Sequence, residues 1–397
     1  MKKVLCLNNI SKVGLKALPT SYSITTDMAE ADAVLVRSAN MLETKLPDSV
    51  LAVARAGAGV NNIPLDAYAK VGVVVFNTPG ANANAVKELT IAGMLLAARD
   101  IHGGMKWIEE NKHDLEINKT VEKAKAAYAG TEIFGKTLGV IGLGAVGALI
   151  AGAGGALGMN VIGYEASPDG VLPANKSKLP EDIVLASSVE ELYEEADYIS
   201  INVPLLPATR GMINKQSIAL MKDGVIILNL ARDAIVNDID MKEALLSKKV
   251  RKYVTDFPNY ASVNMEGVIA IPHLGASTEE AEDNCAFMAA NQIVDFIENG
   301  NITNSVNYPN ICAGPLLDGA RLVVLHENRE NIGPDIINIV ASRKKVLQSI
   351  SKARGQYGVT IVDFIHLEEE CTHGNCMGET ILALPGVIRV RPIKARS

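Results

Sequence analysis

The stretch Leu138-Gly139-Val140-Ile141-Gly142-Leu143-Gly144-Ala145-Val146-Gly147 decides how this chain folds. A short apolar run meets three glycines at the spacing GxGxxG, and an alanine-rich stretch follows. This order reads as a buried strand, a tight turn and the opening of a helix. The first glycine makes the turn, the second lets backbone approach a pyrophosphate, and the third lets the helix pack close to the strand. N–H groups at the helix start then bind the anion. A second apolar run, Val161–Tyr164, ends at Glu165, about 20 residues past the turn, where an acid meets the adenosine ribose. A carboxylate there hydrogen-bonds the 2′-hydroxyl and repels a 2′-phosphate, which predicts NAD over NADP. The whole stretch from Thr137 to Tyr164 lacks charge and is long enough for a membrane span. Its glycines argue against that, since each costs ~1 kcal/mol against Ala inside a helix.

Outward from this unit the same alternation repeats. Val4–Leu7, Ala33–Val36, Leu51–Ala54 and Val73–Phe76 read as buried strands, and Ala85–Ala98 as an apolar helix. Tyr198–Val203, Val225–Asn229, Tyr253–Thr255 and Val268–Ile271 continue the series. Strands alternating with helices imply an α/β chain with parallel sheets covered on both faces. Asn299–Arg321, rich in Asn, Pro and Gly, reads as a linker. The remaining tail has strands expected at Leu322–Leu325, Val359–Phe364 and Val387–Val390, enough for a small separate domain.

Composition bounds the function. The chain has 397 residues, of which 48% are hydrophobic and 21% charged, so it is not disordered. A net charge of −7 without a basic run excludes nucleic acid as the main partner. Five cysteines make no disulfide framework. Met1–Leu7 lacks a signal-peptide pattern. The expectation is a reduced, cytoplasmic location with no membrane partner.

Two strand ends carry the candidate chemistry. Arg232 follows Val225–Asn229, and His273 follows Val268–Ile271, both at the crevice where open α/β sheets bind ligands. Arg presents a planar fork to a carboxylate. His passes a proton near neutral pH. Each has a plainer reading, as a surface ion-pair Arg and a strand-end His.

These residues sit among ordered motifs running nearly end to end. They include Val36-Arg37-Ser38-Ala39, Arg55-Ala56-Gly57-Ala58-Gly59-Val60-Asn61-Asn62-Ile63 and Asn77-Thr78-Pro79-Gly80-Ala81-Asn82. Further on come Gly135-Lys136-Thr137-Leu138-Gly139 with the glycine turn, Ala196-Asp197 with Val203-Pro204, and Met221-Lys222-Asp223-Gly224 through to Arg232. Pro272-His273-Leu274-Gly275-Ala276-Ser277-Thr278-Glu279-Glu280-Ala281 completes them. With these motifs the chain resembles the D-isomer-specific 2-hydroxyacid dehydrogenases, in particular the members that oxidise 3-phosphoglycerate. The resemblance implies two Rossmann-like or flavodoxin-like parallel-sheet domains with the active site between them. The substrate domain would comprise 1–95 with 280–305, the NAD-binding domain 96–279, a linker 306–320, and 321–397 a small α+β regulatory domain of the ACT type.

The resemblance also assigns roles. Arg232 would bind the substrate carboxylate and C2 oxygen, and His273 would be the acid/base on the C2 hydroxyl. Asp256 would stand near the nicotinamide. Gly142, Gly144, Ala145, Val146, Gly147, Glu165, Val203, Pro204, Leu230, Ala231, Gly275 and Ala276 would line the cofactor. Arg37, Ser38, Ala58, Gly59 and Val60 resemble substrate loops, and Lys125 falls where a substrate-phosphate lysine is expected. The implied reaction is NAD-dependent oxidation of 3-phosphoglycerate to 3-phosphohydroxypyruvate, opening serine synthesis, by a homodimer or homotetramer.

The sequence departs from this pattern at two places. The segment Asp256-Phe257-Pro258-Asn259-Tyr260-Ala261-Ser262 lacks the Glu that usually pairs with the catalytic His, so no carboxylate there stabilises an imidazolium. Asp233 stands after Arg232 where the family favours Gly. In the tail, Leu325-His326-Glu327-Asn328-Arg329 resembles the effector loop of serine-inhibited relatives, making His326 and Asn328 candidate serine contacts. A capping turn is the plainer reading. Cys371-Thr372-His373-Gly374-Asn375-Cys376 offers too few ligands for a closed metal site, and no metal is expected. The rival readings are a hydroxypyruvate or glyoxylate reductase and a weakly catalytic NAD(H)-sensing protein.

Overall fold

A computed structural model describes residues 1–167, 170–365 and 377–395. The chain divides into two compact units, Met1–Ala81 with Glu282–Ser397, and Asn82–Ala281.

In the first unit, β1 (Lys2–Cys6), β2 (Tyr22–Thr25), β3 (Ala33–Val36), β4 (Ala52–Arg55) and β5 (Val74–Phe76) form one parallel sheet in the order β2-β1-β3-β4-β5. This is the flavodoxin-like order, with its switch point between β1 and β3. All four residues of β3 are fully buried, because helices cover both faces. One covering element is the long helix Glu279–Asn299, which packs Cys285, Ala289, Ile293 and Phe296 into this core. The Phe296 ring meets Phe76 edge-on at 5.7 Å.

The second unit's strands are β6 (Thr137–Ile141), β7 (Asn160–Tyr164), β8 (Val184–Leu185), β9 (Tyr198–Ile201), β10 (Val225–Asn229), β11 (Val250–Thr255) and β12 (Val268–Ala270). They are parallel, in the order β12-β11-β10-β9-β6-β7-β8. This is the Rossmann arrangement extended by one strand, and order reverses between β6 and β9. The helix Ala145–Ala156 follows β6 and buries Ala148, Ile150 and Ala151 against Leu138 and Val140. Among the described residues no helix is long and apolar enough to cross a membrane. The sequence-based α/β class with parallel sheets is therefore what the structure shows.

The C-terminal segment of the first unit runs β13 (Ala320–Glu327), helix Ile332–Ala341, β14 (Lys345–Arg354), β15 (Tyr357–Ile365), helix Met377–Leu382 and β16 (Val387–Lys394). The order β-α-β-β-α-β and an antiparallel sheet β14-β15-β13-β16 make it ferredoxin-like. Sequence reading missed β2, β8 and β14. All three are edge strands, β8 is only two residues long, and β14 is exposed over most of its length, so none carries a buried apolar run.

Asn299–Arg321 forms no helix, yet it is a packed strap rather than a free linker. Tyr308 is fully buried and donates its hydroxyl to Ala69 O at 2.6 Å. The Asn307 amide accepts from Val75 N and donates to Val73 O, each at 2.9 Å. The backbone also bridges to β5 at Phe76–Ser305, with Val306 N donating to Val75 O at 2.9 Å, so a short bridge and side-chain amides together order a stretch without a period. Arg321, also fully buried, bonds Asp363 through two nitrogens at 2.5 and 2.7 Å and donates to the carbonyls of Asn299, Ala313 and Gly314.

Candidate active site

The glycine turn follows β6 at the switch point. Gly142 has φ +86°, a conformation L side chains avoid. A Cβ there would lie 2.8 Å from Asn202 O and 3.0 Å from Val203 Cγ1, so this turn and the end of β9 lie in contact. A Cβ on Gly147 would overlap the Gly142 carbonyl oxygen, which confirms its packing role. Gly144 differs: a Cβ there would meet nothing within 4 Å. Gly144 also caps the helix Ala145–Ala156 without a side-chain bond, leaving the first N–H groups, from Ala145 and Val146 onward, unserved by a cap. Open space beside free helix N–H groups suits a pyrophosphate. Glu165 is held in place by the N–H groups of Leu143 at 2.9 Å and Ser167 at 3.0 Å, with acceptor capacity left on each oxygen. The residues present thus fit a dinucleotide.

The reacting groups come from three neighbouring strand ends. Arg232 follows β10, Asp256 and Phe257 follow β11, and His273 follows β12. The Phe257 and His273 rings lie 4.3 Å apart between centroids, tilted by 45°. The Arg232 guanidinium carbon lies 5.1 Å from the Phe257 centroid. His273 is exposed and Arg232 half-buried. Asp256 is buried; its Oδ2 accepts from Gly275 N at 3.2 Å, while its Oδ1 has no partner among the described residues. Burial pushes the Asp256 carboxyl up, against the opposing pull of the His273 charge, the Gly275 N–H and the Arg232 charge. Arg232, His273, Asp256 and Gly275 therefore stand in one cluster past the ends of β10, β11 and β12.

The loop bearing Leu230, Ala231 and Arg232 is set by a residue that sequence reading passed over. Asn229, fully buried at the end of β10, accepts from Ala231 N at 3.2 Å and donates to Arg232 O at 2.9 Å and Tyr253 Oη at 3.1 Å. A buried Asn closing a strand of apolar residues was the available signal. Asp233 is exposed and opens the short turn Asp233–Ile235.

The expected substrate loops lie at strand ends of the first unit. Arg37 and Ser38 follow β3; Ala58, Gly59 and Val60 follow β4. Arg37 pairs with Glu282 at 2.7 Å. Asn8, past β1 and also unforeseen, accepts on its Oδ1 from Arg37, Ser38 and Ala39 N–H groups at 2.9, 3.0 and 3.0 Å. Lys125 is exposed on the short turn Lys125–Tyr128 and pairs with Glu122. His326 is 2% exposed, with Nδ1 at 2.7 Å from Glu327 O and Nε2 at 3.0 Å from Thr360 Oγ1. Asn328 donates to Gly355 O at 3.0 Å. Both ring nitrogens of His326 are thus engaged within the C-terminal sheet, whereas Asn328 is exposed beyond β13, and neither side chain caps the following helix, whose N-cap is Asn331. Cys371 and Cys376 lie outside the described residues.

Residues 91–275 match the model of the D-isomer specific 2-hydroxyacid dehydrogenase, NAD binding domain. This unit belongs to the D-isomer specific 2-hydroxyacid dehydrogenase NAD-binding domain family. A D-3-phosphoglycerate dehydrogenase of Methanocaldococcus jannaschii is 31% identical over 352 residues, 86% of this chain and 64% of that protein. One of Mycobacterium leprae is 34% identical over 287 residues, 69% of this chain and 51% of that protein. The chain spans about half to two thirds of the length of these relatives. Among solved structures, a glyoxylate reductase from Paecilomyes thermophila has a TM-score of 0.63 at 25% identity. The NAD+-bound 3-phosphoglycerate dehydrogenase of Entamoeba histolytica has 0.59 at 26%. Each match covers 77% of this chain and 98% of the other. NAD is accordingly the dinucleotide of the glycine turn.

Proposed function

We propose that this chain oxidises 3-phospho-D-glycerate at C2 to 3-phosphohydroxypyruvate with NAD, the entry step of serine synthesis. The observation that carries the reading is the cluster of Arg232 and His273 across one aromatic ring, on strand ends of an NAD-binding sheet. Arg232 grips the substrate carboxylate by its planar fork and fixes C2. His273 takes the proton of the C2 hydroxyl as the C–O bond becomes a carbonyl, and returns it in the reverse reaction. NAD, when bound, accepts the hydride released from C2. Arg37, Ser38, Ala58, Gly59 and Val60 are the proposed substrate loops, with Asn8 bracing the first. Curated relatives named D-3-phosphoglycerate dehydrogenase support the choice of substrate.

A second reading, reduction of hydroxypyruvate or glyoxylate, draws support from the likeness to a glyoxylate reductase. The proposed setting is the cytoplasm, and the proposed assembly a homodimer or homotetramer. The helices Ile101–Glu110 and Ile117–Ala124, which bury no residue despite exposed Ile101, Met105 and Ile108, support association. Serine is proposed as effector at the C-terminal segment, where Asn328 is exposed and His326 is buried.

The test is NADH formation from NAD and 3-phospho-D-glycerate, with a trap for the keto product. Wild type should form NADH, while His273→Asn and Arg232→Gln should bind NADH and form none. No NADH from wild type, with or without serine present, refutes the proposal.

A further inference from the structure

Arg232 and His273 lie on β10 and β12, which are not neighbours; β11 runs between them. The residue that β11 delivers to the gap is Phe257. Its ring stands 4.3 Å from the His273 ring and 5.1 Å from the Arg232 guanidinium carbon. The following segment, Phe257–Ser262, contains no acid.

The backbone that carries the ring is held in place. Phe257 N donates to the hydroxyl of buried Thr255 at 3.0 Å. Pro258 restricts the next backbone torsion. Asn259 and Ser262 exchange bonds, Asn259 N to Ser262 Oγ at 3.0 Å and Ser262 N to Asn259 Oδ1 at 2.8 Å. The Asn259 amide also donates to Asp238 Oδ2 at 2.9 Å. A guanidinium packs well on an aromatic face, and so does an imidazole.

We infer that Phe257 is a positioning residue, whose ring holds the Arg232 fork and the His273 imidazole in mutual register, in a segment, Phe257–Ser262, that supplies no carboxylate. The inference rests on the proposed 2-hydroxyacid chemistry of these two residues. Removing the ring frees both side chains to leave the reactive geometry, which is where small displacements are costly.

The experiment compares Phe257→Leu, Phe257→Met and Phe257→Tyr with wild type, using 3-phosphohydroxypyruvate and NADH. Thermal melts show which variants fold. In Leu and Met, kcat should fall by at least about tenfold, KM for the ketoacid should rise, and NADH affinity should stay within about twofold. Tyr keeps the ring and should retain most of the kcat. In NMR spectra of the imidazole C–H groups, the ring-current displacement of the His273 signal should vanish in Leu and Met and persist in Tyr. Unchanged kcat and KM in the folded Leu and Met variants of an active enzyme overturns the positioning role alone. An equal loss of NADH affinity shows a merely structural ring and overturns it too. A wild type inactive on every 2-ketoacid overturns both this inference and the proposed function.

Discussion

The three glycines of the turn should fail in three different ways when replaced by Ala. Gly144 has φ −67° and ψ −165°, open to any residue, and its Cβ would meet nothing. Gly144→Ala should leave stability unchanged or raise it by about 0.4–1 kcal/mol, since Ala restricts the unfolded chain. The same methyl occupies the space a pyrophosphate needs. Losing one charge-assisted hydrogen bond to the phosphate costs ~1.5–3 kcal/mol. At about 1.4 kcal/mol per factor of ten, NADH affinity should fall roughly 10- to 150-fold. Gly142→Ala forces φ +86° on an L residue beside Asn202 O, costing ~1–2 kcal/mol from backbone alone. Gly147→Ala overlaps the Gly142 carbonyl and should cost ~1–3 kcal/mol as overpacking. For a unit of this size each kcal/mol moves Tm by about 2–4 °C. Thermal melts of the apoprotein, beside fluorescence titration with NADH, separate the two kinds of damage. Should Gly144→Ala melt as early as Gly147→Ala, or bind NADH like wild type, the reading of the turn is wrong.

Three further outcomes follow from buried polar groups. Burial raises the Asp256 carboxyl, so its ionisation opposes folding as pH climbs above the unfolded value of ~3.9. Asp256→Asn should therefore melt higher than wild type at neutral pH, lose that advantage at pH values below the unfolded one, and turn over poorly; a lower Tm at neutral pH contradicts this. Burial lowers His326, against the pull of the Glu327 carbonyl, so its neutral form supports the fold above ~6.5 and that support is lost as pH falls. Replacing it with Gln should flatten the decline of Tm on acidification, and an unaltered slope would count against the reading. Arg321→Leu leaves Asp363 buried without its partner and should cost ~3–5 kcal/mol in denaturant unfolding; a loss below about 1 kcal/mol would show that the pair is not an anchor.

Much of the fold was legible because its signals are local. From Leu138 to Glu165, strand, turn, helix, strand and acid follow in a fixed order, and the structure keeps each. The run Ala33–Val36 announces a central strand because every residue of it is buried. Edge strands give no such signal: β14 alternates nothing and exposes nearly everything. The strap around Tyr308 reads as a linker in sequence because its order comes from a short backbone bridge and amide side chains reaching back to β5 and its neighbours, contacts more than 200 residues apart in sequence. At the site, Arg232 and His273 were recognisable from strand ends. Asn229, Asn8 and Phe257 were not, since their roles arise from which strands lie side by side. His326 shows the converse: a residue readable in sequence as a contact can have both ring nitrogens spent within the fold.

The account stands most directly on which ketoacid the chain reduces. The decisive measurement is kcat/KM for NADH-dependent reduction of 3-phosphohydroxypyruvate against that of unphosphorylated hydroxypyruvate. A site that recognises the phosphate should favour the phosphorylated substrate by at least about a hundredfold, since it leaves polar groups unpaired with the other. A ratio near or below one would contradict the proposed substrate and make the chain a hydroxypyruvate or glyoxylate reductase.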